Sequence, residues 1–310
     1  MKEKLTLYFL ITLVVMISLT DSSYADLMIA KFDVDKTLAF WTPEKIKSAK
    51  PLTPKEIGFR NKTSRVKNSK IKRDDNQSLK EPFDNPDNSL NYPVGILSIT
   101  DPDTGALTTC TASVFNTDNG NIGITAGHCI FNNNGRQYEN LMFSPGFDIG
   151  APGPLGFLPV AIAAAPAEYN DDPVAYDYGM FRVDFDDGGN RLQDRTGANG
   201  WLLNPTQDNL ITTVFGYPQS GDMPNCPNDG LHLCVIVRNV VVSDDESVMP
   251  DVDLGTGSSG APWTINHNTD RNLGYMYGNE AFYNVQDNQS ESPRYDPETF
   301  NDLVEYVSDN

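Results

Sequence analysis

From residue 92 onward, the apolar residues of this 310-residue chain come in short runs that end in turn-forming clusters. Residues 92–100 (YPVGILSIT) lead into the turn 101–105 (DPDTG), and residues 106–115 (ALTTCTASVF) lead into 116–121 (NTDNGN). Short runs bounded by Gly, Pro, Asn and Asp are typical of strands joined by tight turns. The pattern predicts an all-β domain, in which no repeat of about 20 to 50 residues is visible.

The C-terminus carries the one convincing helical segment. Asp296 is placed to cap it, Pro297 falls in its first turn, and apolar residues at 300, 303, 304 and 307 recur at helical spacing. This pattern predicts a helix over residues 297–308 that packs one face against the β domain.

The N-terminus has the features of an export signal. Lys2 and Lys4 precede the apolar stretch 7–19, and residues 23–25 (SYA) offer small residues at a cleavage site. A membrane anchor is the alternative, but no later apolar stretch reaches the roughly 18 residues that a span needs. We therefore predict that residues 1–25 are a cleaved signal peptide. The mature protein is then expected to be extracellular or periplasmic and free of the membrane.

Four cysteines form two pairs that are close in sequence, Cys110 with Cys129 and Cys226 with Cys234. In an exported chain, this spacing predicts two short-range disulfides. Zinc binding is the alternative, but no Cys-x-x-Cys or histidine-rich spacing supports it. We expect the second pair to staple a short loop.

Charge divides the chain near Lys72 and Arg73. Residues 26–73 contain 13 Lys and Arg against 5 Asp and Glu, whereas residues 74–310 contain 8 against 35. We interpret 26–73 as a propeptide that docks on the acidic domain, 74–310, by charge complementarity. A disordered basic linker is the alternative. The acidic domain argues against nucleic acid as a partner, because phosphate contacts need clustered Lys and Arg.

Three histidines could act as a general base near neutral pH: His128, His232 and His267. His128 follows a β-prone run and precedes Cys129, which could hold it in place, whereas the other two lie in polar loops. Ser259 lies in the glycine-flanked string 257–262 (GSSGAP). Such glycines permit a sharp turn that exposes a nucleophilic hydroxyl.

An acid is then needed to orient the base. Asp177 opens the strand-like run 177–183 (DYGMFRV). Its rivals Asp171 and Asp172 lie in a polar stretch before Pro173 and are expected to be solvated.

Taken together, these motifs resemble those of the chymotrypsin-like serine proteases. The strings 125–129 (TAGHC), 177–179 (DYG) and 257–262 (GSSGAP) are similar to that family's histidine, aspartate and serine motifs, and they occur in the family's order. Residues 92–93 (YP), 214–218 (VFGYP) and 251–253 (DVD) are closest to the secreted bacterial glutamyl endopeptidase-like branch.

The resemblance implies two antiparallel β-barrels, at about 90–185 and 186–290. It implies Ser259 as nucleophile, His128 as base, Asp177 as orienting acid, and an oxyanion hole from the N–H groups of Gly257 and Ser259. Substrate-binding positions would be Asp253 and Leu254 in a pocket, with a strand edge for the substrate backbone. That edge would be formed by Tyr275, Met276, Tyr277 and Gly278.

The sequence departs from the family pattern around the nucleophile. Ser258 replaces the aspartate of trypsin-like zymogens, which puts trypsin-style activation in doubt. Met276 stands where the glutamyl branch has a histidine, and Leu254 stands where that branch has a small hydroxyl residue, so a glutamate preference is poorly supported. Asp253, six residues before Ser259, could instead select Arg or Lys, and a medium-sized or apolar preference is equally open.

The function predicted from these observations is hydrolysis of protein or peptide substrates through an acyl-enzyme on Ser259. A catalytically silent, protease-like binding protein is the alternative. An esterase with the same triad is a further one, although the α/β-hydrolase order of Ser, Asp and His is absent. No cofactor is implied and no metal site is predicted. Calcium binding by acidic loops stays open, although no ligand spacing of the EF-hand kind is present.

Overall fold

The computed structural model describes residues 26–52, 78–86, 90–132, 134–205, 209–243 and 246–310. The predicted signal peptide and residues 53–73 of the predicted propeptide lie outside these ranges. Strands dominate the described residues, which confirms the predicted all-β class. Among the described helices, none has the length and apolarity that crossing a membrane requires.

Strands and helices of the described ranges are numbered here in chain order. The strands are β1 (Leu27–Lys31), β2 (Lys50–Pro51), β3 (Leu79–Lys80), β4 (Val94–Thr100), β5 (Leu107–Val114), β6 (Ile122–Thr125), β7 (Glu139–Pro145), β8 (Leu158–Pro166), β9 (Gly179–Val183), β10 (Gly200–Leu202), β11 (Asn209–Gly216), β12 (Cys234–Val242), β13 (Glu246–Pro250), β14 (Pro262–Asn268), β15 (Leu273–Asn279), β16 (Phe282–Asn284) and β17 (Gln289–Pro293). The helices are α1 (Val34–Phe40), α2 (Pro43–Ser48), α3 (Leu192–Thr196) and α4 (Pro297–Asp309).

The first unit is a closed barrel of six antiparallel strands in the order β7-β4-β5-β6-β9-β8, in which β8 pairs back with β7. The turn between β4 and β5 forms because the Asp101 carboxylate accepts the backbone N–H groups two and three residues on. Leu97, Phe143 and Phe181 are fully buried inside the barrel. Burial of these side chains stabilises the closed arrangement.

The second unit is a sheet of nine strands in the order β16-β17-β13-β12-β11-β14-β15-β10-β3. Its pairs are antiparallel except β10 with β15. Val214, Met249 and Trp263 are fully buried in its core. The predicted Cys226–Cys234 disulfide forms at the start of β12.

The predicted C-terminal helix is confirmed as α4. The Asp296 carboxylate accepts the N–H of Thr299 at 3.0 Å, and Pro297 occupies the first turn. The apolar face of α4 packs against β8 and β9, where Phe300 contacts the rings of aromatic residues from both units. The helix therefore braces the barrel from outside.

Residues 26–52 fold against the first unit and are called the N-terminal arm below. Strand β1 pairs antiparallel with β8 along its whole length. Trp41, only 7% exposed, donates its indole N–H to the carbonyl of Asn140 at 2.6 Å. Strand β2 pairs in parallel with β5, and the N–H of Leu52 donates to the carbonyl of Thr109 at 2.8 Å.

Strand pairing and apolar burial hold the N-terminal arm, since no ion pair joins it to the rest of the described chain. The arm contains five Lys against four Asp and Glu, so it is nearly neutral. The disordered-linker alternative is wrong for residues 26–52. Docking by charge stays a prediction for the strongly basic residues 53–73.

Candidate active site

His128 lies in a single 3-10 turn, Gly127–Cys129, that directly follows β6. The predicted disulfide between Cys129 and Cys110 ties this turn to β5. Because the Cys110–Cys129 disulfide, next to His128, fixes the turn, the imidazole has a defined position at the end of β6. Its side chain is 12% exposed, and its Nε2 atom is buried.

Asp177 immediately precedes β9 and is buried. Its Oδ1 accepts the backbone N–H of His128 at 2.8 Å, and its Oδ2 lies 2.7 Å from Nδ1 of the same residue. A carboxylate held in this way accepts a hydrogen bond from Nδ1–H, which keeps the ring proton on Nδ1 and leaves Nε2 as the basic nitrogen. Asn279 in turn donates its amide to the Asp177 carbonyl at 3.0 Å, which links the second unit to this pair.

The rival acids do not reach His128. Asp171 is exposed, and the Asp172 carboxylate accepts the backbone N–H groups of Val174 and Ala175 within its own turn. Asp177 is therefore the acid that the fold brings to His128.

Ser259 lies in the turn between β13 and β14 and joins the two units. Its carbonyl accepts the N–H of Thr111 at 2.8 Å and lies 3.9 Å from the sulfur of Cys129. Within the described residues, Nε2 of His128 has no hydrogen-bond partner, so the Ser259 hydroxyl does not bond to it in this structure. In unliganded hydrolases this bond is often long and tightens only with substrate.

Positive φ angles shape the turn around Ser259. Gly257 has φ 94° and Gly260 has φ 83°, values that favour glycine. Among the described residues, the N–H groups of Gly257 and Ser259 donate to no backbone carbonyl. Both groups are therefore available to an incoming oxygen, as an oxyanion hole requires.

Ser258 holds this turn from inside. It is fully buried, its hydroxyl donates to the carbonyl of Leu254 at 2.6 Å, and its N–H donates to the carbonyl of Gly255 at 3.2 Å. The hydroxyl of Thr111 donates to the Gly257 carbonyl at 2.8 Å. Neutral hydrogen bonds thus fix the turn at the position where trypsin-like enzymes use an acid and an ammonium group.

The predicted substrate-binding residues are a pocket pair, Asp253 and Leu254, and the strand segment 275–278. Asp253 is half-buried at the start of the turn that contains Ser259, while Leu254 is fully buried in the core of the second unit.

The predicted substrate-pairing edge at Tyr275–Gly278 is covered over its first two residues. Strand β10 pairs with Tyr275 and Met276 on one side and β14 pairs on the other, so these two residues do not form an edge. Tyr277 is buried in the core and Gly278 pairs with Trp263 of β14, and an edge at these two residues stays a prediction. The cause is a nonlocal partner, since β10 is more than 70 residues earlier in the chain.

Glu280 adjoins the turn that contains Ser259 but was missed by the sequence reasoning. Its carbonyl accepts the N–H of Gly260 at 2.7 Å, and its N–H donates to the carbonyl of Ala261 at 2.8 Å. The side chain is 4% exposed, and burial raises the pKa of its carboxyl well above the usual range. No local signal separates this acid from the many others in the domain.

The other two histidines make contacts of their own. His232 pairs with Asp229 at 2.8 Å on the surface. His267 packs against Phe215 with the ring planes tilted by 53°, and burial lowers the pKa of its imidazole. Sulfur and nitrogen atoms of Cys110, Cys129 and His128 cluster within 4.8 Å. Both sulfurs belong to one disulfide, so this cluster offers no thiolate to a metal.

The fold has counterparts among solved structures, although no protein-family model and no curated protein matches the chain. The thermostable serine protease AL20 from an extremophilic microorganism is 20% identical, with TM-score 0.60, over 71% of this chain and 99% of that one. The protease Anisep from Arthrobacter nicotinovorans is 20% identical, with TM-score 0.60, over 74% and 99%. A Glu endopeptidase is 15% identical, with TM-score 0.53, over 69% and 90%. At these identities the likeness establishes a shared fold.

Proposed function

We propose that this chain, which has the fold of the chymotrypsin-like serine proteases, is a secreted serine endopeptidase. Ser259 is its nucleophile, His128 its general base and Asp177 the acid that orients His128. The observation that carries the proposal is the double contact of Asp177, which accepts both the backbone N–H and Nδ1 of His128. This contact selects the tautomer in which Nε2 can take a proton.

The reaction proceeds through an acyl-enzyme. The Ser259 oxygen attacks the substrate carbonyl carbon while its proton passes to Nε2 of His128, and the carbonyl electron pair moves onto oxygen. The N–H groups of Gly257 and Ser259 stabilise the resulting oxyanion. When the C–N bond breaks, His128 returns the proton to the leaving amine. Water then repeats the sequence, which releases the acid and restores Ser259.

Labelling with a fluorophosphonate tests the triad. Processed wild-type protein is expected to gain one adduct on Ser259, and the S259A and H128A variants are expected to gain none. The H232A variant is the matched control, since it removes a surface histidine and should label like the wild type. Absence of labelling in the wild type would instead favour the silent binding protein, and equal labelling of H128A and H232A would refute the role of His128.

Residues 26–73 are proposed to act as a pro-segment after export directed by residues 1–25. The two disulfides are compatible with an oxidising, extracellular location. Pro51 of the N-terminal arm lies beside Gly257, because a Cβ atom built on Gly257 would be 2.8 Å from the Pro51 Cβ. Leu52 bonds to Thr109, next to the disulfide that holds His128. The arm thus lies against the proposed oxyanion turn and hinders substrate access.

A variant far from the turn tests this blocking role. W41A removes the indole that anchors the arm on Asn140 and is expected to speed fluorophosphonate labelling of the unprocessed precursor. The processed enzymes with and without the substitution should label at equal rates if the arm has left. Proteolysis should confirm that W41A loosens the arm. If the precursor then labels at an unchanged rate, the blocking role is contradicted.

A further inference from the structure

Asn279, the last residue of β15, lies between the two halves of the candidate active site. It is fully buried, and its backbone N–H donates to the hydroxyl of Ser292 at 3.0 Å. Its side-chain NH₂ group donates to the Asp177 carbonyl at 3.0 Å and to the Glu280 carbonyl at 3.2 Å. The proposed reaction assigns no part to this amide, although one of its two acceptors belongs to the acid that bonds to His128.

The two carbonyl acceptors lead to different members of the proposed triad. Asp177 holds His128 through its carboxylate, on the side of the first unit. The Glu280 carbonyl also accepts the N–H of Gly260 at 2.7 Å, and Gly260 directly follows Ser259 in the second unit. Because buried carbonyl groups need donors, both segments are held to one amide. This amide therefore bridges the segment that carries the acid and the turn that contains the proposed nucleophile.

Tyr295 fixes the orientation of the Asn279 amide. Its hydroxyl donates to Oδ1 of Asn279 at 2.9 Å. Burial raises the pKa of this hydroxyl well above the usual range, so it stays protonated and remains a donor. If the amide were turned over, Oδ1 would face the two carbonyl oxygens, and both of these buried acceptors would lose their donor. The tyrosine hydroxyl therefore favours the orientation in which the amide bridges the two segments.

The position of Tyr295 is set by its place at the start of the C-terminal helix. It immediately precedes Asp296, the cap of α4, and is 1% exposed. Its ring centroid lies 4.9 Å from that of Tyr178 and 5.2 Å from that of Phe300. Since aromatic contacts hold the ring, the hydroxyl reaches Asn279 from a defined position.

We propose that Asn279 is a positioning residue for the reaction and that Tyr295 keeps its amide in the bridging orientation. The inference rests on the proposed function, because it assigns these residues to the support of the triad. Through them, the C-terminal helix sets the position of the Asp177 backbone relative to the turn that contains Ser259. Such support matters because misplacing a reacting group by about 1 Å can cost about 100-fold in rate.

Y295F tests the proposal, because it keeps the ring and removes only the hydroxyl. We expect kcat to fall about tenfold and KM to change less than about twofold, since the triad loses support while the substrate loses no contact. The NMR resonance of the His128 Nδ1 proton should shift upfield, because a longer bond to Asp177 deshields the proton less. If kcat and this resonance both keep their wild-type values in folded Y295F, the proposal is overturned.

T212V is the matched control. Thr212 is fully buried in the second unit and its hydroxyl bonds to that of Tyr277, so the substitution also removes one buried hydroxyl bond. It should lower the free energy of unfolding about as much as Y295F does, while kcat and the His128 resonance stay unchanged. Equal falls in kcat for T212V and Y295F would overturn the proposal, because a general loss of stability would then explain both.

A double-mutant cycle tests whether Tyr295 acts through Asn279. N279A should lower kcat more than Y295F does, because both carbonyls lose their donor. Adding Y295F to N279A should then change kcat less than about twofold, since the route through the amide is already broken. Additive losses would overturn this route. If N279A does not fold, the comparison of Y295F with T212V decides the question by itself.

The His128 resonance needs no active enzyme, so it separates this inference from the proposed function. An upfield shift in Y295F that is absent in T212V supports the positioning role even if the wild type fails to label with fluorophosphonate. A resonance and a kcat that Y295F leaves unchanged would overturn the positioning role even if labelling succeeds.

Discussion

Replacing Asp177 by asparagine tests the site most directly, because both carboxylate oxygens are committed. Oδ1 accepts the backbone N–H of His128 at 2.8 Å and Oδ2 faces Nδ1 at 2.7 Å. Asparagine has one acceptor oxygen and one NH₂ group. The asparagine amide oxygen should accept the backbone N–H of His128. In the opposite orientation of the amide, that buried N–H would have no acceptor, at a cost of about 1–3 kcal/mol. The NH₂ group then donates to Nδ1.

The consequence is the wrong tautomer of His128. With Nδ1 accepting, the ring proton sits on Nε2, which can no longer take the proton of Ser259. Loss of this base and of the charge that stabilises the imidazolium is expected to lower kcat about 10⁴-fold, or about 5.5 kcal/mol in activation free energy. The residual rate comes from the oxyanion N–H groups and from substrate binding.

The assay measures kcat for a peptide substrate in buffers from pH 6 to 9, with the protein concentration determined by absorbance. D172N is the matched control, because the Asp172 carboxylate accepts backbone N–H groups of Val174 and Ala175 while Asp177 is the acid that bonds to His128, and it should retain wild-type kcat. Near-ultraviolet circular dichroism checks that D177N is folded. A folded D177N enzyme that loses less than about tenfold in kcat would refute the tautomer argument, since the loss expected from it is far larger.

Three further substitutions probe the surroundings of the site. G257A forces a side chain onto a residue with φ 94°, where the new Cβ overlaps the Tyr217 carbonyl oxygen. Fluorophosphonate labelling should therefore slow about 100-fold or more. Labelling at the wild-type rate would argue against an oxyanion role for Gly257. In the wild type, the free energy of unfolding should fall as pH rises from about 4.5 to 7, and E291Q should make this fall smaller. Urea titrations at a series of pH values measure it. Burial raises the pKa of Glu291 to about 7, so the native state holds a proton that the unfolded chain releases near 4.5; an unchanged slope would contradict this. F300A removes a fully buried ring between the two units and should cost about 3–5 kcal/mol of unfolding free energy, whereas exposed N301A should cost little.

Local sequence patterns predicted the all-β class and the C-terminal helix, and the resemblance of three short strings to a known family implied the meeting of His128 with Asp177. A turn cluster ends each strand, the Asp101 turn closes its own hairpin, and Cys129 immediately follows His128. The roles of these residues in catalysis stay predictions until labelling is done.

Other features depend on distant partners and left no local signal. Residues 275–278 of β15 were expected to be an edge, but β10, which pairs with Tyr275 and Met276, lies far away in the chain. Glu280 resembles any acid of the domain until the fold buries it beside Ser259. Averaging charge over 26–73 also concealed that the arm, 26–52, is nearly neutral and folds through Trp41 and β1.

Because the N-terminal arm supplies a strand and a buried indole, cutting the chain between Leu52 and Ser78 severs one covalent link without removing those contacts. The product is a two-chain complex in which the arm is a tightly held subunit. Its release then follows mass action, so that, if the arm has the proposed pro-segment role, dilution rather than the cut itself sets the moment of activation. Native mass spectrometry should detect the complex at micromolar concentration, while denaturing spectra of the same sample contain two separate chains.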